Sequence, residues 1–527
     1  MTKKRRDQKR AFIRAYQNKL KQGEIEDSSR ILYDLIKTPF IEDQNILKGL
    51  PFINPDNLFS CTQQFLMMRV LDFEFIEQIN LAFGRSNNEI KHPLPPLWRK
   101  RLEEKHAIKA KTFHNHLLWL QFLFYWFFIG YLSAYYEWFK NFFSAKNDQF
   151  KNHSYSFFYQ LTKNNLPLKS STNDYENNTI ISWFAKRNDT SGNIFSNVIL
   201  DKPLKINHHN VYGSNSPWPR IKEVWDIGGL LIWSVVFFFK GLVKFLQGNF
   251  VIPMMSREVM LAKCVQYTDR DRLPKRYLFH NSGFFFRPLW TYIAQNKGCQ
   301  IILYYYSTSD LWLQTKEGDA NRYNPYHIMT WPEYWIWNEY QLSFLNRFLT
   351  YDFKYKIVGP IWFSSTSIKS LKKLPKKGIA IFDIEPKRDS YEFKVYYPVN
   401  YYGYQLSKQF FLDLTYIAEK HNINLFIKRK RLNKLEHKGY EKLINIISNK
   451  SNIYLIDSGI AAKSLIEKSV SVITMPFSTP ANIAHILGKP SVFYDPFNMT
   501  IPKDPAAHGL KIFTNKKELE AWIISTI

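Results

Sequence analysis

An alternation of short apolar strands and amphipathic helices, running from about residue 275 to the end, constrains this chain more than any other feature. Residues 276–281 (RYLFHN) and 299–306 (CQIILYYY) read as strands on either side of a helix through Pro288 to Lys297. Residues 334–338 and 355–363 add two more strands, and a Lys-rich linker, SLKKLPKKG, follows. The pattern then restarts. Strands are predicted at 378–384, 423–428, 452–457, 471–475, 491–494 and 509–513, with helices over 403–421 and 516–523. The runs are apolar throughout, as strands covered on both faces of a parallel sheet must be. Two such arrays in succession predict an α/β fold of two facing Rossmann-like halves, with ligands held in the cleft outside the carboxyl ends of the strands.

The upstream part has another character. Residues 1–113 read as a basic, mostly helical region and 114–250 as an aromatic-rich region. The two halves are assigned to 251–370 and 371–527. Residues 117–136 (LLWLQFLFYWFFIGYLSAYY) carry no charge and are long enough to cross a hydrocarbon core as a helix. A second apolar run, 228–239, is too short to span and meets Lys240 and Lys244. Tyr and Trp at this density suit a membrane–water interface, so the preferred reading is two helices lying in one leaflet. A pair of buried core helices and a single span are the alternatives. Around 140–225 the chain is rich in Asn and Ser and is expected to form loops with a few short elements.

Charge and cysteine content narrow the class. The 72 Lys and Arg exceed the 45 Asp and Glu to leave a formal charge of +27, which favours polyanions, phosphorylated substrates or an anionic membrane face. Compositional drift accounts for much of this excess. No nucleic-acid-binding motif accompanies it, so nucleic acid is not an expected partner. Cys61, Cys264 and Cys299 lie far apart in no CxxC pair, which excludes a disulfide scaffold and a cysteine zinc ribbon. No apolar core of signal-peptide length follows the basic N-terminus, so a reducing cytoplasm is the expected compartment.

Candidate chemistry collects at strand ends. In 471–495, a strand stops at Met475-Pro476 and a helix opens at Ser478-Thr479-Pro480, with hydroxyls at the N-cap and Pro suited to the first turn. Such a helix N-terminus can hold a phosphate; equally, it is an ordinary well-capped helix. The run IKRKR at 427–431 places Lys428, and less firmly Arg429 or Lys430, where a departing phosphate would need cations. Asp383, in FDIEP, ends another strand of the same half. In the first half, His280 and Asp310 are candidate general bases, with Glu339 a third. The triplet Asp269-Arg270-Asp271 reads as solvated loop rather than metal ligands. P-loop, GxGxxG, HExxH and GxSxG patterns do not occur.

The segment PFSTPANIAHILGKPSVFYDP, with Ala506-Ala507-His508-Gly509 after it, resembles GT-B-fold glycosyltransferases of bacterial surface-polysaccharide assembly. RYLFHNSGFFFRPLWTYIAQNKGCQIILYYYSTSD and VGPIWFSS resemble the acceptor half of that group. The resemblance covers roughly residues 225–527. It implies that Ser478 and Thr479 hold donor phosphate, as a Ser/Thr pair does in relatives using CMP-activated sugars, with Lys428, Arg429, Asp495 and His508 as further donor contacts. Where those relatives carry a His-Pro motif, this chain has IKRKR. The implied activity is transfer of a sugar from a nucleotide-sugar donor to a lipid-linked or glycan acceptor, without metal or cofactor, at the cytoplasmic face of a membrane. A CDP-polyol phosphotransferase of teichoic-acid type and a non-catalytic polysaccharide-assembly scaffold are the rival readings.

Overall fold

The computed structural model describes the chain from residue 11 onward, apart from 14, 17, 20, 21, 23, 25–27, 84–87, 143–153, 167–178, 188–191, 207, 222, 282–285, 309–324, 362–368, 385, 387–402, 430–436 and 502. After helical residues between 11 and 22, four helices follow among the described residues: α1 (Ser28–Lys37), α2 (Pro55–Arg69), α3 (Phe73–Phe83) and α4 (Pro96–His106). Between α3 and α4 lies β1 (Glu89–Ile90), paired with β2 (Lys109–Ala110). Asp34 ties α1 to α4 through a two-pronged bond to Arg101 at 2.7 Å and contacts with Lys105 and His106. These helices are not a separate domain. Cys61 and Gln64 of α2 bond the backbone at Arg287 and Ile328, and their apolar faces join the core of the first half.

The first sheet has eight strands: β3 (Ser156–Phe158), β4 (Ile194–Ser196), β5 (Leu204–Ile206), β6 (His209–Gly213), β7 (Arg276–His280), β8 (Gln300–Tyr304), β9 (Glu333–Ile336) and β10 (Lys354–Ile357). Their spatial order is β10-β9-β8-β7-β3-β4-β6-β5, parallel except at the β5 edge. The sheet therefore begins well before residue 251. Phe157, Phe158 and Phe195 in its early strands are all but inaccessible. These strands are three to five residues long, and their alternation is too brief to stand out from Asn- and Ser-rich surroundings. The region expected to be mostly loop thus supplies half the sheet.

The second sheet contains β11 (Ile379–Phe382), β12 (Leu425–Lys428), β13 (Ile453–Ile456), β14 (Ser471–Thr474), β15 (Ser491–Tyr494) and β16 (Ile512–Phe513). Its order is β13-β12-β11-β14-β15-β16, parallel throughout. This is the doubly wound arrangement, in which strand order reverses between the first and fourth strands. Two helices after β11 and β12, at Tyr404–Lys420 and Lys438–Ser448, cover one face with the C-terminal helix Lys516–Thr526. Helices Ala462–Lys468 and Thr479–Ile486 cover the other, and their apolar side chains merge with the core of the first half.

The two apolar segments form long helices, α5 (Thr112–Phe142) and α6 (Val224–Leu246). The second is longer than its uncharged run because Lys240 and Lys244 turn aside, bonding Gly49 O at 2.8 Å and Gln247 Oε1 at 3.1 Å, while Leu242, Val243 and Leu246 continue the apolar face. The helices pack on each other through Phe127 and Phe238, stacked at 5.3 Å. Gly241 permits this approach: a Cβ there would lie 2.8 Å from the Phe127 ring. Their inner faces rest on the protein, with Trp119 against Phe250 and Trp233 against Phe52.

Candidate active site in the interdomain cleft

Each sheet has one point where strand order reverses, and there the flanking loops part to leave a crevice at the carboxyl ends. In the first sheet it falls between β3 and β7, so Tyr159-Gln160 and His280-Asn281 line it. In the second it falls between β11 and β14, flanked by Asp383 and by Pro476-Phe477-Ser478-Thr479. The carboxyl ends of the two sheets meet. The segment leaving β8 touches the helix after β14, where the Thr308 N–H donates to Thr479 Oγ1 at 3.2 Å. Beside it, Arg347 pairs with Asp504 at 3.3 Å, and Tyr340 packs on Gly509.

The second-half wall is built by local backbone chemistry. Phe477 adopts a left-handed φ of +46°, which turns the chain out of β14 into a helix capped by Ser478. The Ser478 hydroxyl makes no capping bond, and Pro480 follows in the first turn. First-turn N–H groups and two hydroxyls thus border the crevice, an environment that favours an anion. Lys428 ends β12 and donates to Ser458 O at 3.1 Å. Arg429 pairs with Glu441 at 3.0 Å and lies 5.3 Å from the Tyr440 ring, whose hydroxyl donates to buried Asp383. Both cations stand at the end of β12, the strand next to β11, with Lys428 held toward β13 on the side away from the crevice.

His280 closes β7 half-buried, near Tyr304 and Tyr306. Burial holds its imidazole below the ordinary histidine range, a backbone hydrogen bond with Gln160 opposing. A neutral ring at neutral pH can accept a proton.

Two expected donor contacts serve other ends. Asp495 is fully buried, and its carboxylate accepts from the N–H groups of Phe497, Met499 and Thr500 and from the Thr500 hydroxyl. Those bonds commit it to organising the loop after β15. His508, only 3% exposed, sits between the halves with its Nδ1 3.0 Å from Asn338 Oδ1. It is a docking residue there. Glu339 lies exposed in the first turn of the helix Glu339–Phe348, where it complements the helix dipole. Asp310 and Lys430 lie outside the described residues. Asp269 and Asp271 are solvent-exposed around a short turn, and no group of three metal-ligating side chains occurs among the described residues.

Sequence reasoning missed Thr308, Asn482, Gln160 and Tyr440. Only Asn482 carried a signal, standing one turn after Thr479 on the same helix.

No curated protein matches the chain in sequence. Among solved structures, wall teichoic acid polymerase TagF is similar at 9% identity, covering 72% of this chain and 81% of that one with a TM-score of 0.32. A putative UDP-N-acetylglucosamine 2-epimerase from Listeria monocytogenes is similar at 12% identity, covering 71% and 87% with a TM-score of 0.33. MurG from Acinetobacter baumannii is similar at 8% identity, covering 52% and 69% with a TM-score of 0.25. At these values no neighbour's activity transfers to this chain. The family model speaks directly to its biology: it matches residues 233–523, more than half the chain, from within the second apolar helix into the last helix, and the protein belongs to the polysaccharide biosynthesis PFTS motif family.

Proposed function

We propose that the protein is a glycosyltransferase that moves a sugar from a nucleotide-sugar donor to a lipid-linked or glycan acceptor in surface-polysaccharide synthesis. One observation carries this reading: the two crevices face the same interdomain cleft, one offering a neutral imidazole and the other a helix start suited to an anion, with two cations at the end of the neighbouring strand β12. The donor's phosphates bind at Ser478 and Thr479, with Lys428 and Arg429 balancing their charge. His280 accepts the proton of the acceptor hydroxyl as its oxygen bonds to the sugar's anomeric carbon. The bond from that carbon to the phosphate oxygen breaks, and its electron pair leaves with the nucleotide. Basic side chains and the helix dipole stabilise the leaving group, so this reading requires no metal ion.

The apolar helix pair supports a membrane setting for this chemistry. On α5, Leu117, Phe124, Leu132, Tyr136 and Phe139 are exposed at helical spacing; on α6, Ile232, Val236, Phe239, Val243 and Leu246 are. Two adjacent stripes of this size are unusual on a water-facing surface. Their opposite faces pack on the protein, which supports helices lying along a leaflet over helices crossing it. Lysines near them, among them Lys140 and Lys244, suit an anionic cytoplasmic face.

A nucleotide-release assay with a panel of CMP-, UDP- and GDP-sugars tests the enzymatic reading. Release of one nucleotide, dependent on Thr479 and Lys428, supports it; surface glycan unchanged in the Thr479→Ala/Lys428→Ala variant refutes it. Release of CMP from a CDP-polyol would favour the polyol-phosphate transferase instead.

A further inference from the structure

Where the halves touch, three polar side chains form a junction that the fold alone does not require. Thr308, from the segment leaving β8, is completely buried, and Asn482, one turn into the helix Thr479–Ile486, is 2% exposed. The Thr308 N–H donates to Thr479 Oγ1 at 3.2 Å, and Asn482 Nδ2 donates to Thr308 Oγ1 at 2.5 Å. The other end of the Asn482 amide, Oδ1, is buried and finds no hydrogen-bond partner among the described residues. Helix capping needs none of these bonds, and an unpaired buried carbonyl is costly in a finished junction. The segment bearing Thr308 is itself anchored, since Trp337 Nε1 donates to Tyr305 O at 2.7 Å and Asn281 N, next to His280, donates to Tyr304 O at 3.1 Å.

We propose that Thr308 and Asn482 are positioning residues for the donor site: the first half aims the Thr479 hydroxyl at the donor phosphate through Thr308, and Asn482 Oδ1 accepts a hydrogen bond from a hydroxyl or amino group of the bound nucleotide. The inference rests on the cleft being a nucleotide-sugar site. Its physical content is that a hydroxyl accepting from a fixed N–H has its own proton restricted in direction. The donor-binding hydroxyl is thus oriented by the half that carries the acceptor chemistry, and assembly of the cleft and donor recognition become one event.

The test measures binding of CMP, UDP and GDP to the full-length protein by calorimetry, with donor KM and kcat from nucleotide release. Thr308→Val and Asn482→Leu are each expected to weaken nucleotide binding and raise donor KM by about 3- to 10-fold, with kcat at saturating donor within about twofold. Asn482→Asp, nearly isosteric, can only accept where Asn482 donates to Thr308 and sets a negative charge beside the phosphate; it weakens binding further and serves should the leucine variant not fold. Because Thr308→Val keeps the backbone N–H that reaches Thr479 and removes only the hydroxyl that holds Asn482, Thr308→Val on an Asn482→Leu background should cost little more than Asn482→Leu alone. Wild-type binding in the Thr308 and Asn482 variants, or losses at the two positions that multiply independently, overturns the proposal while leaving the donor site intact. If the wild-type protein binds none of the three nucleotides, the reading of the cleft fails and this inference with it.

Discussion

Both sheets reverse strand order at one crevice, yet the second half is lean while the first is heavily clothed. In the second sheet the crossover from β13 to β14 carries one helix of seven residues, Ala462–Lys468. The equivalent crossover of the first sheet, from β6 to β7, holds α6, a short turn at Val251–Met254 and the helix Ser256–Tyr267. That last helix packs beneath α5 at Gly130, where a Cβ would come within 2.5 Å of Ser256 Oγ. The excess in the first half is thus concentrated where the apolar face is built. A doubly wound sheet tolerates such insertions because its core is made by strands and flanking helices, and connections can lengthen at little thermodynamic cost. One half keeps to the doubly wound plan; the other adds an exposed apolar face.

If this division is correct, substitutions on the two sides of the cleft and on the apolar face should separate cleanly. The largest effect is expected from His280→Gln, which should lower transfer by about 10²- to 10⁴-fold and leave nucleotide binding unchanged. Since burial keeps His280 below the ordinary value of about 6.5, it stays neutral further into acid. The acid limb of the kcat/KM profile should therefore lie below pH ~6.5 and vanish in the variant; a limb that persists there assigns the base elsewhere. Next, Leu132→Gln with Ile232→Gln and Phe239→Gln removes three exposed apolar side chains. At about 1–2 kcal/mol each, binding to anionic phospholipid vesicles should fall by at least about 100-fold. Soluble-fraction recovery of the wild-type protein would instead make the apolar face a protein contact.

Thr479→Ala combined with Lys428→Ala should reduce nucleotide release by about 10²-fold while vesicle binding holds. A loss of vesicle binding in that variant would show that the halves are not independent in the way their architecture implies. The smallest effect concerns the helical preface. Asp34→Asn removes the charge that ties α1 to α4 and should cost about 1–3 kcal/mol in denaturant unfolding. Although burial pushes the other way, the hydrogen bonds from Arg101, Lys105 and His106 hold the Asp34 carboxyl well below the usual carboxylate range. Its contribution is therefore present above the unfolded value of about 3.9 and fades as the pH falls below it. Stability unchanged by the substitution at neutral pH would relegate the cluster to solvent-screened pairs.

The second half was legible almost element by element. Its strands are uniformly apolar and separated by helices of ordinary length, so periodicity and the Ser478-Thr479-Pro480 signal sufficed. The first half was legible only from β7 onward. Its opening strands are as short as three residues, β3 and β4, and they gain their identity from parallel partners far away in sequence: β3 pairs with β7 across more than a hundred residues. Candidate residues divided in the same way. His280 and Thr479 stand at strand or helix ends, which sequence can locate. Asp495 and His508 were assigned by resemblance, but their roles depend on which loop folds back onto them.

The sequence by itself determined the α/β class, the parallel strands of the second half, the helix start at Thr479 and the two apolar helices, because each rests on contacts within about twenty residues. Tertiary structure alone decided which strands neighbour one another, and so where each sheet reverses and its crevice opens. It also decided that one face of each apolar helix is sealed against the protein while the other remains exposed. Bringing Thr308 against Thr479 was likewise beyond local pattern: the two are 171 positions apart. Pairings of that range depend on the packing of the whole core, which no local periodicity records.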